Sequence, residues 1–482
     1  MLFQRFYDTR LAQASYLVGC QRTGDALVVD PNRDVEQYID FASRQGMRVT
    51  AVTETHIHAD FVSGARELAA RTGARLMLSD CGDADWKYTY AADAGAHLLR
   101  DGDVVMIGNI RIDVMHTPGH TPEHLSFLVT DTPAAAGAWG VLTGDFVFVG
   151  DVGRPDLLER AAGHEGTMEA GARVLYHSLQ RFRELPDHLQ LWPGHGAGSA
   201  CGKALGAVPS STVGYEKIGN WGLAAIGEAE FVRTVLDGQP DPPRYFAQMK
   251  RINKAGPAIL GPMQPPKPLE RSTFEDALAG GMRMVDTRPA AEYAKAHVPG
   301  TINIPYNGSF TGWAGWLLPY DQDIALIATA QTAAAASRDL AMIGLDRVHG
   351  FFAIDTLDHW AATGHGLGTV AQRTPEEVSA MMARGGVRLL DVRARSEWSA
   401  GHPTGAANIP LGRLIDVPLE VITDHPGDLR DDETLVVHCQ SGARSAIAAS
   451  VLQARGLKDV VNMTGGFVGW DGAGLPVVRG DT

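Results

Sequence analysis

Cysteine is scarce: Cys20, Cys81, Cys201 and Cys439 are all that a chain of 482 residues contains. They are far apart and none forms a CxxC pair, which excludes a disulfide framework and a cysteine-built zinc knuckle. Long apolar runs are missing too, since no stretch reaches the ~18 residues that span a bilayer. The opening residues, Met1-Leu2-Phe3-Gln4-Arg5-Phe6-Tyr7-Asp8, lack an apolar core and a small-residue cleavage site. No signal peptide is expected, no membrane partner either, and the expected location is cytoplasmic. Positive charge is in deficit: 42 Lys and Arg face 56 Asp and Glu, a formal charge of −14. A nucleic-acid surface would be basic, so that partner class is excluded and the acidity reads as a solubility feature.

Apolar residues make up 45% of the chain and charged residues 20%, an ordinary balance for packed cores. At roughly 100–200 residues per domain, two to four domains are expected. Residues 1–262 hold most of the histidines and alternate β-rich runs, such as Val28-Val29-Asp30-Pro31 and Val141-Leu142-Thr143-Gly144-Asp145, with Gly-rich turns. Residues 168–185 carry helical periodicity and stop before Pro186. A linker follows, from Gly256-Pro257 through Gly261-Pro262 to Pro265-Pro266-Lys267-Pro268.

Beyond the linker the chain repeats itself. DTRPAAEYAKAHVPGTINIP at 286–305 aligns with DVRARSEWSAGHPTGAANIP at 391–410, at a constant offset of 105. The pairs Asp286/Asp391, Arg288/Arg393, Glu292/Glu397, His297/His402, Gly300/Gly405 and Asn303/Asn408 coincide. The period is that of a domain, giving two copies of one α/β unit at 266–369 and 370–482.

Histidines and carboxylates cluster in four places: Thr55-His56-Ile57-His58-Ala59-Asp60, His116-Thr117-Pro118-Gly119-His120-Thr121, Thr143-Gly144-Asp145 and Trp192-Pro193-Gly194-His195. Alternate residues of an extended segment face one way, so His56 and His58 can point together. Gly and Pro beside each cluster favour rigid loops that aim a side chain, and the ligand types suit a divalent metal. His97, His164, His177 and His188 lack such settings and read as surface or capping residues. Spacing alone does not choose among the six candidates His56, His58, Asp60, His120, Asp145 and His195.

In that order these motifs resemble the metallo-β-lactamase superfamily, which implies an αββα sandwich with the metal at one end of its sheets. Hydrolytic members usually read HxHxDH, and the last position here is Phe61, which cannot ligate a second metal. The stretch Gly150-Asp151-Val152-Gly153-Arg154-Pro155-Asp156-Leu157 resembles the persulfide dioxygenase branch. That resemblance implies one Fe(2+) per chain on His56, His120 and Asp145, with His58, Asp60 and His195 orienting those ligands or the bound water. Zn(2+) is the alternative ion, because histidine and carboxylate serve both. The implied reaction consumes O2 and a small-molecule persulfide of glutathione, CoA or a similar thiol, and yields sulfite and the parent thiol. Arg154 is expected to clamp Asp156.

The second repeat contains Val436-Val437-His438-Cys439-Gln440-Ser441-Gly442-Ala443-Arg444-Ser445. A strand runs into a short loop before a helix, so backbone N–H groups and Arg444 can stabilise a thiolate at Cys439. With Asp391-Val392-Arg393, Asn408-Ile409-Pro410 and Gly465-Gly466-Phe467, the segment is similar to a rhodanese. The resemblance implies two α/β/α domains with parallel sheets, and Cys439 carrying sulfane sulfur to or from thiosulfate or sulfite. The first copy has no cysteine and is read as rhodanese-like without catalysis.

Cys201 follows His195 in a Gly-rich loop and is a candidate to gate the metal cavity or accept sulfur. The leading expectation is a persulfide dioxygenase fused to a sulfurtransferase, in sulfide detoxification and glutathione metabolism. Its rivals are a zinc thioester hydrolase of the glyoxalase II type and a non-enzymatic sulfur carrier. A homo-oligomer is left open.

Overall fold

A computed structural model of the chain describes residues 1–157, 167–203, 205–239, 241–424 and 434–480; His164 lies outside them. The chain divides into two compact units. One comprises Met1–Met263 with Arg338–Gly344, the other Gln264–Ser337 with Leu345–Thr482. Among the described residues no helix is long and apolar enough to cross a membrane.

The first unit is built on two six-stranded mixed sheets. In spatial order one runs Leu2–Asp8, Gln13–Cys20, Asp25–Val29, Arg48–Thr53, Arg75–Ser79 and His97–Leu99. The other runs Ser211–Thr212, Gln190–Pro193, Gly140–Gly144, Leu125–Asp131, Ile110–His116 and Val104–Ile107. Strands such as Gln13–Cys20 and Gly140–Gly144 are buried along their whole length, as expected where both faces of a sheet are covered. Between the sheets pack Tyr16, Val29, Val114, Phe127, Leu142 and Trp192. Helices seal the outer faces through apolar stripes. Thr167–Arg183, where the sequence places a helix over 168–185, buries Ala172, Leu175, Leu179 and Phe182 at helical spacing. The metal-type residues follow the ends of Arg48–Thr53, Ile110–His116, Gly140–Gly144 and Gln190–Pro193.

The second unit holds the repeat. Its first copy has a parallel sheet in the order Ile302–Asn303, Arg283–Asp286, Ile324–Ile327 and Val348–Phe352. The second has Ala371–Arg373, Val460–Met463, Thr434–His438, Val387–Asp391 and Ala406–Asn408, also parallel. The shared residues do the same work in each. Arg288 grips Asp286 and donates to the Ala296 carbonyl, while Arg393 grips Asp391 and donates to that of Gly401. Asn303 Nδ2 donates to the carbonyls of Asp286 and Arg288, and Asn408 Nδ2 to those of Asp391 and Arg393. His297 stacks on Tyr293 and His402 on Trp398, each pair tilted by 6°. Asp286 pairs with Ile327 as Asp391 pairs with His438. The residue after each partner strand is therefore equivalent, and Ala328 stands where Cys439 does.

Arg393 and Asp391 are both buried, and removing one partner leaves an uncompensated charge. Arg393→Ala is expected to cost about 3–5 kcal/mol, measured by chemical denaturation. A loss below about 1 kcal/mol, the range of exposed pairs, would contradict this reading.

Candidate functional site

Asp30 ends the strand Asp25–Val29 in the left-handed region at φ 52°, uncommon for a residue other than glycine. From there its carboxylate accepts from Thr55 N at 2.6 Å, Thr55 Oγ1 at 2.9 Å and His58 Nε2 at 3.1 Å. His58 is thus turned to Asp30. Burial opposes its protonation, but Asp30 outweighs burial and lifts the imidazole to about 9.

Three other imidazoles share one arrangement. His56 Nδ1 lies 2.9 Å from Thr55 Oγ1, His120 Nδ1 3.0 Å from the Arg154 carbonyl and His195 Nδ1 2.9 Å from the Ala12 carbonyl. An acceptor at Nδ1 places a proton there, and in a neutral ring, as at His56 and His120, that leaves the Nε2 lone pair free, the preparation typical of a metal ligand. His56 Nε2 and His120 Nε2 stand 3.9 and 3.6 Å from Asp145 Oδ2. Donor atoms of these three residues lie within 4.8 Å of one another. His56 Nε2 and Asp145 Oδ2 are buried and have no hydrogen-bond partner. Such orphaned atoms are rare in an interior and costly, so this trio fits a bound cation. Burial pushes the imidazoles of His56 and His120 below the ordinary range, keeping them neutral as ligation requires.

Two glycines make room for Asp145: a Cβ at Gly153 would lie 1.9 Å from its carbonyl oxygen, and one at Gly194 2.6 Å from Oδ1. Phe61 is buried with its ring 4.4 Å from that of His58, so the position of a further histidine ligand is filled by an apolar ring.

A second trio adjoins the first. Asp60, His195 and Cys201 also bring donor atoms within 4.8 Å of one another. His195 Nε2 lies 3.1 Å from Asp60 Oδ2 and 3.5 Å from Asp145 Oδ2. Burial works against the His195 imidazolium, but Asp145 and Asp60 outweigh it and hold the group well above its ordinary range. Burial and the same carboxylates push the Cys201 thiol far up. Arg154 holds this loop: it grips Asp156 at 2.7 and 2.8 Å, donates to the Ala200 carbonyl through Nη1, and its backbone N–H donates to that of Cys201. The expected clamp is present, and it also secures Cys201.

In the second unit Cys439 is buried at the mouth of the helix Ala443–Ala454. Gly442 N donates to Sγ at 3.1 Å and Ser445 Oγ lies 3.6 Å from it. Gly442, at φ 100°, turns the loop; a Cβ at Gly466 would come within 2.3 Å of the Cys439 carbonyl oxygen. Arg444 forms two 2.7 Å hydrogen bonds to Glu397, so its charge reaches the sulfur through space. Arg393 donates to Gln440 Oε1 at 3.2 Å and lies over the Phe467 ring. Burial lowers His438, beside Cys439, to about 4.

The sequence reading passed over Asp30, Thr55 and Glu397, and also Asn253, which caps the loop beside His58. Asp30 has a signal in its Asp-Pro turn and Glu397 in its match to Glu292 of the other repeat; Thr55 and Asn253 look like ordinary polar residues until the fold closes.

The metallo-β-lactamase superfamily profile matches residues 8–195, and the rhodanese-like domain profile matches 270–351 and 374–473. A crystal structure of a metallo-β-lactamase from Staphylococcus aureus subsp. aureus COL is 42% identical, with a TM-score of 0.66 over 73% of this chain and 99% of that one. The chain belongs to the metallo-β-lactamase superfamily. It joins that superfamily's domain to two rhodanese-like domains. A hydroxyacylglutathione hydrolase of Nitrosococcus oceani is 31% identical over 185 residues, covering 38% of this chain and 61% of that protein. The mitochondrial persulfide dioxygenase ETHE1 of Bos taurus is 26% identical over 197 residues, covering 40% and 68%. The chain also spans 61% of the length of β-lactamase hydrolase-like proteins from Xylella fastidiosa.

For this metallo-β-lactamase-fold centre, chelator competition is expected to show metal retention lost in His120→Ala and Asp145→Ala. His58→Ala, which removes a residue held by Asp30, should weaken affinity about 10–100-fold. Unchanged affinity in His120→Ala would contradict the assigned trio.

Proposed function

We propose that the chain is a bifunctional sulfur enzyme, a persulfide dioxygenase joined to a sulfurtransferase. A low-molecular-weight persulfide, of glutathione, CoA or a similar thiol, is oxidised with O2 to sulfite and the parent thiol in the first unit. The observation that carries this reading is the donor set: His56, His120 and Asp145 bring donor atoms within 4.8 Å of one another, His56 Nε2 and Asp145 Oδ2 have no partner, and Phe61 fills the place of a further ligand. One ferrous ion held there would supply open coordination positions for the substrate sulfur and for O2. The protein's share is to fix the imidazoles through Thr55 and the Arg154 carbonyl, and to keep the centre dry with Phe61 and Phe148. Cys201, beside Asp60 and His195, guards the cavity or takes up sulfur there.

Cys439 carries the second activity. Its thiolate attacks the sulfane sulfur of thiosulfate, the S–S bond breaks, and sulfite leaves with the electron pair. An acceptor thiolate then attacks the outer sulfur of the Cys439 persulfide and returns the Cys439 thiolate. Gly442 N–H and the Ser445 hydroxyl face the negative charge that Sγ carries before the first step and regains in the second. Sulfite is a product of the first reaction and a product or acceptor of the second, which gives the fusion a chemical logic.

A second reading is a zinc thioester hydrolase. The Asp60, His195 and Cys201 trio favours it, since those donors could hold another ion, and so does the resemblance to a hydroxyacylglutathione hydrolase.

Iron-loaded protein is expected to consume O2 when given glutathione persulfide. No uptake, together with O2-independent cleavage of a glutathione thioester, would replace the dioxygenase with the hydrolase. Cys439→Ser should abolish sulfur transfer from thiosulfate to cyanide while persulfide-dependent O2 uptake persists. Transfer that survives the substitution would remove Cys439 from its role.

A further inference from the structure

The loop over residues 56–63 has no regular secondary structure, so its backbone groups must find partners elsewhere. One side chain supplies three of them. Asn253 Nδ2 donates to the carbonyls of His58 and Phe61, both at 2.7 Å, and Asn253 Oδ1 accepts from Ser63 N at 2.9 Å.

Asn253 lies on the helix Tyr245–Ala255, whose buried face presents Tyr245, Met249 and Asn253 at successive four-residue steps. The third step would ordinarily be apolar. A buried amide there is costly unless it is paired, and this one is paired on both its nitrogen and its oxygen. The helix falls outside residues 8–195, the span of the superfamily profile.

Between the two carbonyls that Asn253 holds stands Asp60. Both oxygens of Asp60 are buried without a well-formed hydrogen bond, and the cationic group facing them is His195, whose Nε2 lies 3.1 Å from Oδ2. The place of the carboxylate depends on its backbone, and Asn253 pins that backbone on both sides. The same His195 nitrogen lies 3.5 Å from Asp145 Oδ2.

We infer that Asn253 is a positioning residue for the metal centre, acting through Asp60 on His195 and Asp145. The chain of effect runs from a buried helix face, through loop carbonyls, to the carboxylates whose spacing defines the site. It holds for any divalent ion bound there and does not depend on the sulfur chemistry.

The test uses the full chain loaded with Co(II), read by its visible absorption spectrum and by chelator competition. Asn253→Ala is expected to lower Co(II) affinity about tenfold or more and to change the spectrum. Asn253→Asp keeps the shape and the acceptor for Ser63 N but loses both donations, and it should move both readouts the same way; it decides the matter if Asn253→Ala does not fold. Asp60→Asn should likewise lower Co(II) affinity and change the spectrum, and adding Asn253→Ala to it should add little, because the two share one path. The inference is overturned if folded Asn253 variants melt earlier yet bind Co(II) with unchanged affinity and spectrum. It is also overturned if the effects of Asn253→Ala and Asp60→Asn are fully additive. None of these readouts requires turnover, so the failure of the dioxygenase reading would leave the result intact.

Discussion

Donor atoms must stay bare inside a dry interior, and the architecture of the first unit follows from that demand. A buried imidazole nitrogen or carboxylate oxygen without a partner is unfavourable. Any neighbouring donor or acceptor would relieve the cost and remove the ligand. The fold prevents this by occupying the other end of each group. Thr55, the Arg154 carbonyl and the Ala12 carbonyl take the Nδ1 atoms of His56, His120 and His195. Asp30, bent into the left-handed region, fixes Thr55 and holds His58 by its Nε2, leaving Nδ1 buried without a partner. Glycines 153 and 194 clear space around Asp145. These supports come from separate segments, and only the paired sheets bring them to one end.

The second unit solves a related problem for sulfur. A thiolate needs donors directed at it, and the loop before Ala443–Ala454 provides them through Gly442 and Ser445. The first repeat keeps the Asp–Arg clamp, the Asn bridge and the aromatic–histidine stack, yet it places Ala328 at the nucleophile's position. What the two copies share is therefore the scaffold. A thiol and a glycine-turned loop at a helix mouth, the features that the proposed sulfur transfer uses, belong to the second.

The sequence made the repeat visible because its shared residues form contacts within one strand–loop–helix segment, where a constant offset of 105 survives. Farther along, connections differ in length and the offset between Ala328 and Cys439 is 111. For that reason the sequence shows that the first copy has no cysteine without identifying which residue stands in place of Cys439. The clustered histidines were legible because ligands sit beside Gly and Pro in short motifs. Asn253 was not legible, since a single amide on an otherwise apolar helix face has meaning only when the loop it caps is seen. Nor could local patterning show that Arg338–Gly344 clusters with the first unit, because that grouping depends on long-range packing. The choice of His56, His120 and Asp145 from six candidates comes from family resemblance; the structure brings donor atoms of those three within 4.8 Å of one another and does the same for Asp60, His195 and Cys201.

On the proposed function this centre takes one ion, with Asp60, His195 and Cys201 beside it. Counting tightly bound metal per chain tests that most directly, after anaerobic reconstitution with excess Fe(II) or Zn(II) and removal of loose ions, in the native protein and in Cys201→Ser. One ion per chain is expected in both proteins with either metal. Two ions per chain in the native protein, falling to one in Cys201→Ser, would contradict it and favour a two-metal hydrolase.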